Sequence, residues 1–314
     1  MSLRRNMPNK GDRMKPQKEN PLNDESLAAE SIQGADGAEA LPRRIERYGK
    51  ARERASQMAE FCQAEGHTKE FKQLQSCGNY LHFRHYYTID KVRLHSAQLC
   101  RKHLLCPLCA IRRGSKMLTS YLERYEAIRA SNAGLKAYFV TFTVKNGDDL
   151  GERFRHLRNK LQAYHKRRMG KGQIGEVCKA EGAVWTYEFT NRGKGWHPHA
   201  HCIWLCKTKP DVRKIKTEWE ALTGDSFMVD CREITDPLEG FIEVFKYAIK
   251  FGDLELADNF HAYTLLSGER LIASFGLFRG VVVPEALTDE PLDDLPFFDL
   301  LYRYVKGAGY TLEK

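Results

Sequence analysis

The chain has 314 residues, enough for about two domains, and its 42% hydrophobic and 29% charged composition is that of a water-soluble protein with a real core. A formal charge of +9 and a sequence pI near 9.0 favour a polyanionic partner, nucleic acid ahead of a membrane surface. No segment approaches the roughly 18 uninterrupted apolar residues of a membrane helix, and the first residues hold no apolar secretory core, so no membrane partner is expected.

Residues 1–40 are polar, carry little periodic apolar signal and read as a disordered tail. Residues 41–74 follow a charged helical pattern, read as a solvated helix face without a function of its own. Residues 75–133 form a cysteine-rich region followed by a helix. Cys77, Cys100, Cys106 and Cys109 are spaced C-x22-C-x5-C-x2-C, and "CPLC" is a tight knuckle suited to presenting two thiolates to tetrahedral Zn²⁺. His103 is an alternative ligand, and the competing reading is four free buried thiols. The chain's nine cysteines, an odd number, indicate a reducing, cytoplasmic compartment rather than a disulfide framework.

Residues 134–255 alternate clearly between strand and helix. "LKAYFVTFTVKN" is a strand, "LGERFRHLRNKLQAYHKRRMG" a basic amphipathic helix, and "GAVWTYEFT" and "HPHAHCIWLC" two strands of a hairpin turning at "NRGKGW". "KPDVRKIKTEWEALTG" is a helix and "DSFMVDCREI" a strand. The order β-α-β-β-α-β predicts an α+β fold with a ferredoxin-like antiparallel sheet, preceded by a zinc-binding subdomain. "TDPLEGFIEVFKYAIKF" is a further helix, with Asp236 as its cap and Pro237 in its first position. Residues 256–314 form a C-terminal region, in which 284–298 hold five acids and no base and read as a tail or docking segment.

Three histidines at alternate positions, His197, His199 and His201, line one face of their strand. Pro198 cannot donate to a ladder and marks the strand's start, leaving His199 and His201 as the firmly held pair. A hairpin turning about 193–194 puts Glu188 opposite His199. Two imidazoles and a carboxylate suit a divalent ion such as Mn²⁺, Mg²⁺ or Zn²⁺, whereas the bland reading is a capped or solvated strand. In the last helix Glu243, Tyr247 and Lys250 share one face, offering a base, a nucleophile and a cation, although a tyrosine there is usually packing.

"YFVTFTVKN", "WHPHAHCIWL" and "EVFKYAIK", in that order, resemble the three motifs of rolling-circle plasmid replication initiators of the pC194/pUB110 type. These belong to the HUH endonucleases, whose name describes His199-Ala200-His201 here. The resemblance covers roughly residues 75–255 and extends to cysteines before the first strand. It implies that His199, His201 and Glu188 hold catalytic Mn²⁺ or Mg²⁺. Tyr247 would be the nucleophile that forms a 5′-phosphotyrosyl link and frees a 3′-hydroxyl primer, and Glu243 would activate water in the terminating cleavage. It assigns His197 no ligand role. The implied partners are single-stranded or hairpin origin DNA, a host helicase and a DNA polymerase.

Lys250, the "IRRG" pair Arg112 and Arg113, and Arg167 and Arg168 are the expected DNA contacts. The last two lie in residues 151–171, which hold eight Lys or Arg against one acid. Trp196 and Trp204 are candidates for base stacking or for packing. Three other readings stand beside a nickase: a single-tyrosine transposase or relaxase, a non-catalytic nucleic-acid-binding module of the same strand order, and a zinc hydrolase using all three histidines.

Overall fold

The computed structural model describes residues 36–169, 175–191, 193–245, 254–292 and 294–313. Two antiparallel sheets organise them. The first unit opens with helices α1 (Leu41–Ala64) and α2 (Thr68–Ser76) and strands β1 (Tyr80–Tyr86) and β2 (Lys91–Ala97). Gly66, at φ 79, separates the two helices where one continuous pattern was expected. The charged face of α1 is not simply solvated: Arg44, Arg47 and Arg52 are buried, and Arg52 donates to the Gln75 carbonyl at 2.8 Å.

Helix α3 (Pro107–Ser131) starts on the cysteine knuckle, with Pro107 in its first turn. It leads into β3 (Lys136–Thr143), α4 (Leu150–Lys166), β4 (Ala180–Asn191), β5 (Trp196–Cys206), α5 (Val212–Thr223) and β6 (Val229–Glu233). Helices α4 and α5 begin where Asp149 and Asp211 accept from backbone N–H groups of the first turn. Helix α6 (Pro237–Phe245) begins the same way, Asp236 accepting from Leu238 N at 2.8 Å. Then follow α7 (Leu256–Leu266) and β7 (Ile272–Gly276). The second sheet has the order β6-β3-β5-β4-β7, with every neighbouring pair antiparallel.

Period-two alternation sends the strand residues to two cores. Phe142, Trp204 and Tyr187 face α4 and α5, where Tyr164 and Trp219 fill the layer. Phe139, Ile203 and Val184 face α3 and α6, meeting Tyr121, Tyr125, Phe241 and Phe245. Helix α3 joins the two units, because its first turns (Leu108, Ile111) belong to the core of the N-terminal unit.

The acid-rich stretch 284–298, read as a tail or docking segment, leads into two further strands. Strands β8 (Phe298–Val305) and β9 (Gly309–Leu312) complete the first sheet in the order β2-β1-β8-β9. Asp289, from the acid-rich stretch, is half-buried against Arg112, with Arg44 and Lys116 each at 3.5 Å. Burial works to raise its pKa, but the Arg112 and Arg44 guanidiniums outweigh it and hold the carboxyl well below the usual range.

His165, in the last turn of α4, is buried beside Trp185 (ring centroids 4.4 Å apart) and Phe275 (5.2 Å). Neither ring nitrogen has a hydrogen-bond partner among the described residues. Burial, with Arg168 adding to it, pulls the pKa down to about 3. The unfolded chain therefore binds a proton near pH 6.5 that the folded chain refuses, so stability is full above pH 6.5 and falls towards pH 3. His165→Phe is expected to be at least as stable as wild type at pH 7.5. Its advantage should grow by a few kcal/mol as pH drops through that window, read from urea midpoints. A constant difference would rule out a neutral buried imidazole.

Candidate metal centre

Strand register assembles the centre. Glu188 on β4 pairs with His199 on β5, and Thr186 with His201. On the other side of β5, Thr143 pairs with His199 and Thr141 with His201. Residues paired across strands share a face, and this is the face covered by α3 and α6. His199 Nε2 lies 3.2 Å from Glu188 Oε1, and His201 Nε2 lies 3.1 Å from Oε2. The Glu188 side chain is 2% exposed, so its charge is stabilised by these partners rather than by water. Burial acts to raise its pKa; hydrogen bonds with His199 and His201 outweigh this and hold it well below the carboxylate range.

One ligand atom from each of the three residues lies within 4.8 Å of the others. Two imidazole nitrogens and a carboxylate aimed at one point fit a divalent cation, and the set leaves coordination positions for other ligands. The other ring nitrogens are also engaged: His199 Nδ1 faces the His197 carbonyl and His201 Nδ1 faces Thr141 Oγ1, both at 3.3 Å. That arrangement suits metal-binding histidines, whose second nitrogen is usually tethered. The His197 ring sits 5.5 Å from that of His199 but does not belong to the converging set.

Helix α6 is seated against the same face. Thr186 Oγ1 donates to the Val244 carbonyl at 2.6 Å, two residues along β4 from Glu188. Gly114, inside α3, makes the close approach possible: a Cβ there would sit 2.8 Å from the Phe245 carbonyl oxygen. Glu243, half-buried, therefore lies in a helix end anchored beside the three converging side chains. Tyr247 and Lys250 lie outside the described residues.

The cysteines form a second cluster. Cys77 follows α2, Cys100 follows β2, Cys106 caps α3 and Cys109 lies in its first turn. Cys77 Sγ is 3.6 Å from both Cys106 and Cys109, and Cys100 is 3.6 Å from Cys109. Tetrahedral zinc, with Zn–S about 2.3 Å, sets sulfurs about 3.8 Å apart, so the donor set fits a thiolate-bound cation. Hydrogen bonds from Cys106, Cys109 and Cys77 pull the Cys100 thiol far down, while the Cys100 sulfur pushes Cys106 and Cys109 far up. A bound dication would favour the thiolate form of these cysteines. His103 is not among the converging donors. The remaining five cysteines are free and lie outside the cluster.

The expected DNA contacts are redistributed. Arg112 is buried rather than exposed, and it donates to the Leu287 carbonyl at 2.6 Å, to Tyr48 Oη and to Asp289. Arg113 donates to the Pro284 carbonyl at 2.8 Å. The Arg167 and Arg168 guanidiniums lie over the Tyr164 and Phe275 rings, at 5.6 and 3.8 Å. Trp196 and Trp204 are buried, so both pack rather than stack on bases. Thr141, Thr186 and Gly114 were not singled out from the sequence, because their roles arise between strands and helices far apart in the chain.

A sequence profile described as "Replication protein" matches residues 91–298. This chain belongs to that replication protein family. A Lactiplantibacillus plantarum protein named Protein rep is 26% identical to this replication protein over 279 residues, 78% of this chain and 83% of its own length. A Streptococcus pneumoniae protein of the same name is 28% identical over 233 residues, covering 67% and 70%. A Staphylococcus aureus Protein rep is 22% identical over 167 residues, covering 51% and 68%. No solved structure matches this replication protein. The matches bear out the resemblance to rolling-circle plasmid replication initiators, and all three motifs fall inside the matched span. Among the described residues of this replication protein, no helix is long and apolar enough to cross a membrane.

Proposed function

We propose that this replication protein nicks and rejoins one DNA strand at a plasmid origin through a 5′-phosphotyrosine intermediate. The observation that carries the reading is the convergence of Glu188, His199 and His201 on the sheet face against which α6 is anchored. The strand order β6-β3-β5-β4, all antiparallel, supports the split βαβ, ferredoxin-like arrangement expected of an HUH endonuclease.

Glu188, His199 and His201 would hold Mn²⁺ or Mg²⁺. When bound, that ion polarises the scissile phosphodiester and offsets the charge that develops on it. Tyr247 gives up its phenolic proton and attacks phosphorus, so the 5′ side of the nick becomes joined to the protein and the 3′ side leaves as a hydroxyl primer. Glu243, four residues before Tyr247 in the sequence, takes the proton from water in the terminating cleavage and so releases the protein. Cys77, Cys100, Cys106 and Cys109 would hold a structural Zn²⁺ that ties α2, the exit of β2 and the start of α3 together.

The test uses origin DNA labelled at either end, incubated with the full chain in Mn²⁺ or EDTA and resolved on a denaturing gel. A Mn²⁺-dependent nick with protein on the 5′ end is expected, lost in Tyr247→Phe. In Glu243→Ala the covalent product should persist while the water-released product disappears. Cleavage that survives Tyr247→Phe would replace transesterification by hydrolysis. Binding without cleavage on every origin fragment would leave a nucleic-acid-binding module.

A further inference from the structure

Strand β3 carries the first of the three motifs, yet none of the chemistry above uses it. Its alternation places Thr141 and Thr143 on the face of the metal centre, between β5 and the edge strand β6. Their hydroxyls have different work. Thr143 Oγ1 donates to the Met228 carbonyl at 3.0 Å and so ties down the chain entering β6. Thr141 Oγ1 instead faces His201 Nδ1 at 3.3 Å.

We infer that Thr141 is a positioning residue for the metal centre: its hydroxyl accepts from His201 Nδ1–H and so fixes both the ring's orientation and its tautomer. The inference rests on reading Glu188, His199 and His201 as metal ligands. A neutral imidazole has one N–H and one lone pair. His201 Nε2 points at the convergence, 3.1 Å from Glu188 Oε2, and must keep its lone pair there to bind a cation. The proton then belongs on Nδ1 and needs an acceptor, which Thr141 Oγ1 supplies. The Phe139 ring, stacked on His201 with centroids 5.4 Å apart and planes 30° apart, restrains the flat of the imidazole but offers no acceptor. His199 is tethered differently: its Nδ1 faces the backbone carbonyl of His197, which no side-chain substitution removes. Of these two tethers, only the one at His201 depends on a side chain.

The experiment measures Mn²⁺ affinity of the full chain by electron paramagnetic resonance, alongside the melting temperature in EDTA. Thr141→Val keeps the shape and removes the acceptor, and should weaken Mn²⁺ binding about 10-fold or more with the EDTA melting temperature held. Thr141→Ala should show the same loss, which covers the case in which valine disturbs the strand. Thr141→Ser should bind within about twofold of wild type, because it restores the hydroxyl. Thr143→Val, which removes the neighbouring hydroxyl on the same strand face, the one bonded to the Met228 carbonyl, should also bind within about twofold. Strand cleavage by Thr141→Val should recover when Mn²⁺ is raised to saturation, which a merely structural defect would not allow. Wild-type affinity in Thr141→Val and Thr141→Ala would overturn the inference and leave the metal centre standing. An equal loss in Thr143→Val would overturn it in favour of general strand packing. A wild-type chain that binds no Mn²⁺ would overturn the metal centre and Thr141's part in it together.

Discussion

Glu188→Gln is expected to abolish tight divalent-metal binding and to lower metal-dependent strand cleavage on the order of 10²–10³-fold. The carboxylate stands between two imidazoles, one oxygen 3.2 Å from His199 Nε2 and the other 3.1 Å from His201 Nε2. Gln matches its volume, so the packing beneath α6 is kept and the change is one of charge and lone pairs. The amide nitrogen accepts nothing, so one imidazole loses its partner, and the cation loses the only anionic ligand of the proposed set. In EDTA the variant should lose about 1–3 kcal/mol of stability, the usual effect of breaking a buried charge-assisted hydrogen bond. Mn²⁺ titration and the end-labelled cleavage assay read both effects. Unchanged Mn²⁺ affinity would remove Glu188 from the ligand set.

The second large effect is expected at the cysteine cluster. Structural zinc contributes apparent binding free energies of about 10–16 kcal/mol in small zinc domains, against a net stability of about 5–15 kcal/mol for a whole domain. Cys106→Ser should therefore cost the chain its zinc and lower the melting temperature by roughly 10 °C or more. The position of the cluster says where the damage starts. Cys77, Cys106 and Cys109 are buried in the same core as Leu81, Phe83, Val92 and Leu94 of β1 and β2, and as Ala51, Ala55 and Met58 of α1. Hydrogen exchange should thus accelerate first in α1, β1 and β2, and later in the β4–β5 hairpin, whose core lies elsewhere. Metal analysis of the wild-type chain should give about one zinc. A chain that retains no metal, melts unchanged as Cys106→Ser and shows uniform exchange would return the cluster to four free thiols.

Some of this site is legible in the sequence because its order is local. Strand periodicity alone places His199 and His201 on one face, and a short hairpin turn brings Glu188 opposite His199 with no other part of the chain involved. The cap at Asp236 and the start of α6 are equally local. The tether on His201 is not, because Thr141 is 60 residues away and alternation says only that a threonine shares a face with something. The burial of Arg112, expected as a DNA contact, is equally non-local, because its partner Asp289 is 177 residues distant.

Sequence by itself determined which strand faces Glu188, His199 and His201 share and the β-α-β-β-α-β order, since each follows from backbone periodicity and neighbouring turns. Tertiary structure decided which faces meet. It sent the acid-rich C-terminal stretch into the first unit, where Asp289 offsets buried arginines and β8 and β9 extend the sheet begun by β1 and β2. It also brought α6 onto the face that carries Glu188, His199 and His201, through Gly114 and the Thr186 hydrogen bond. The physical reason is that burying an apolar face or a charge demands a partner, and the chain's own periodicity states the demand without naming what meets it.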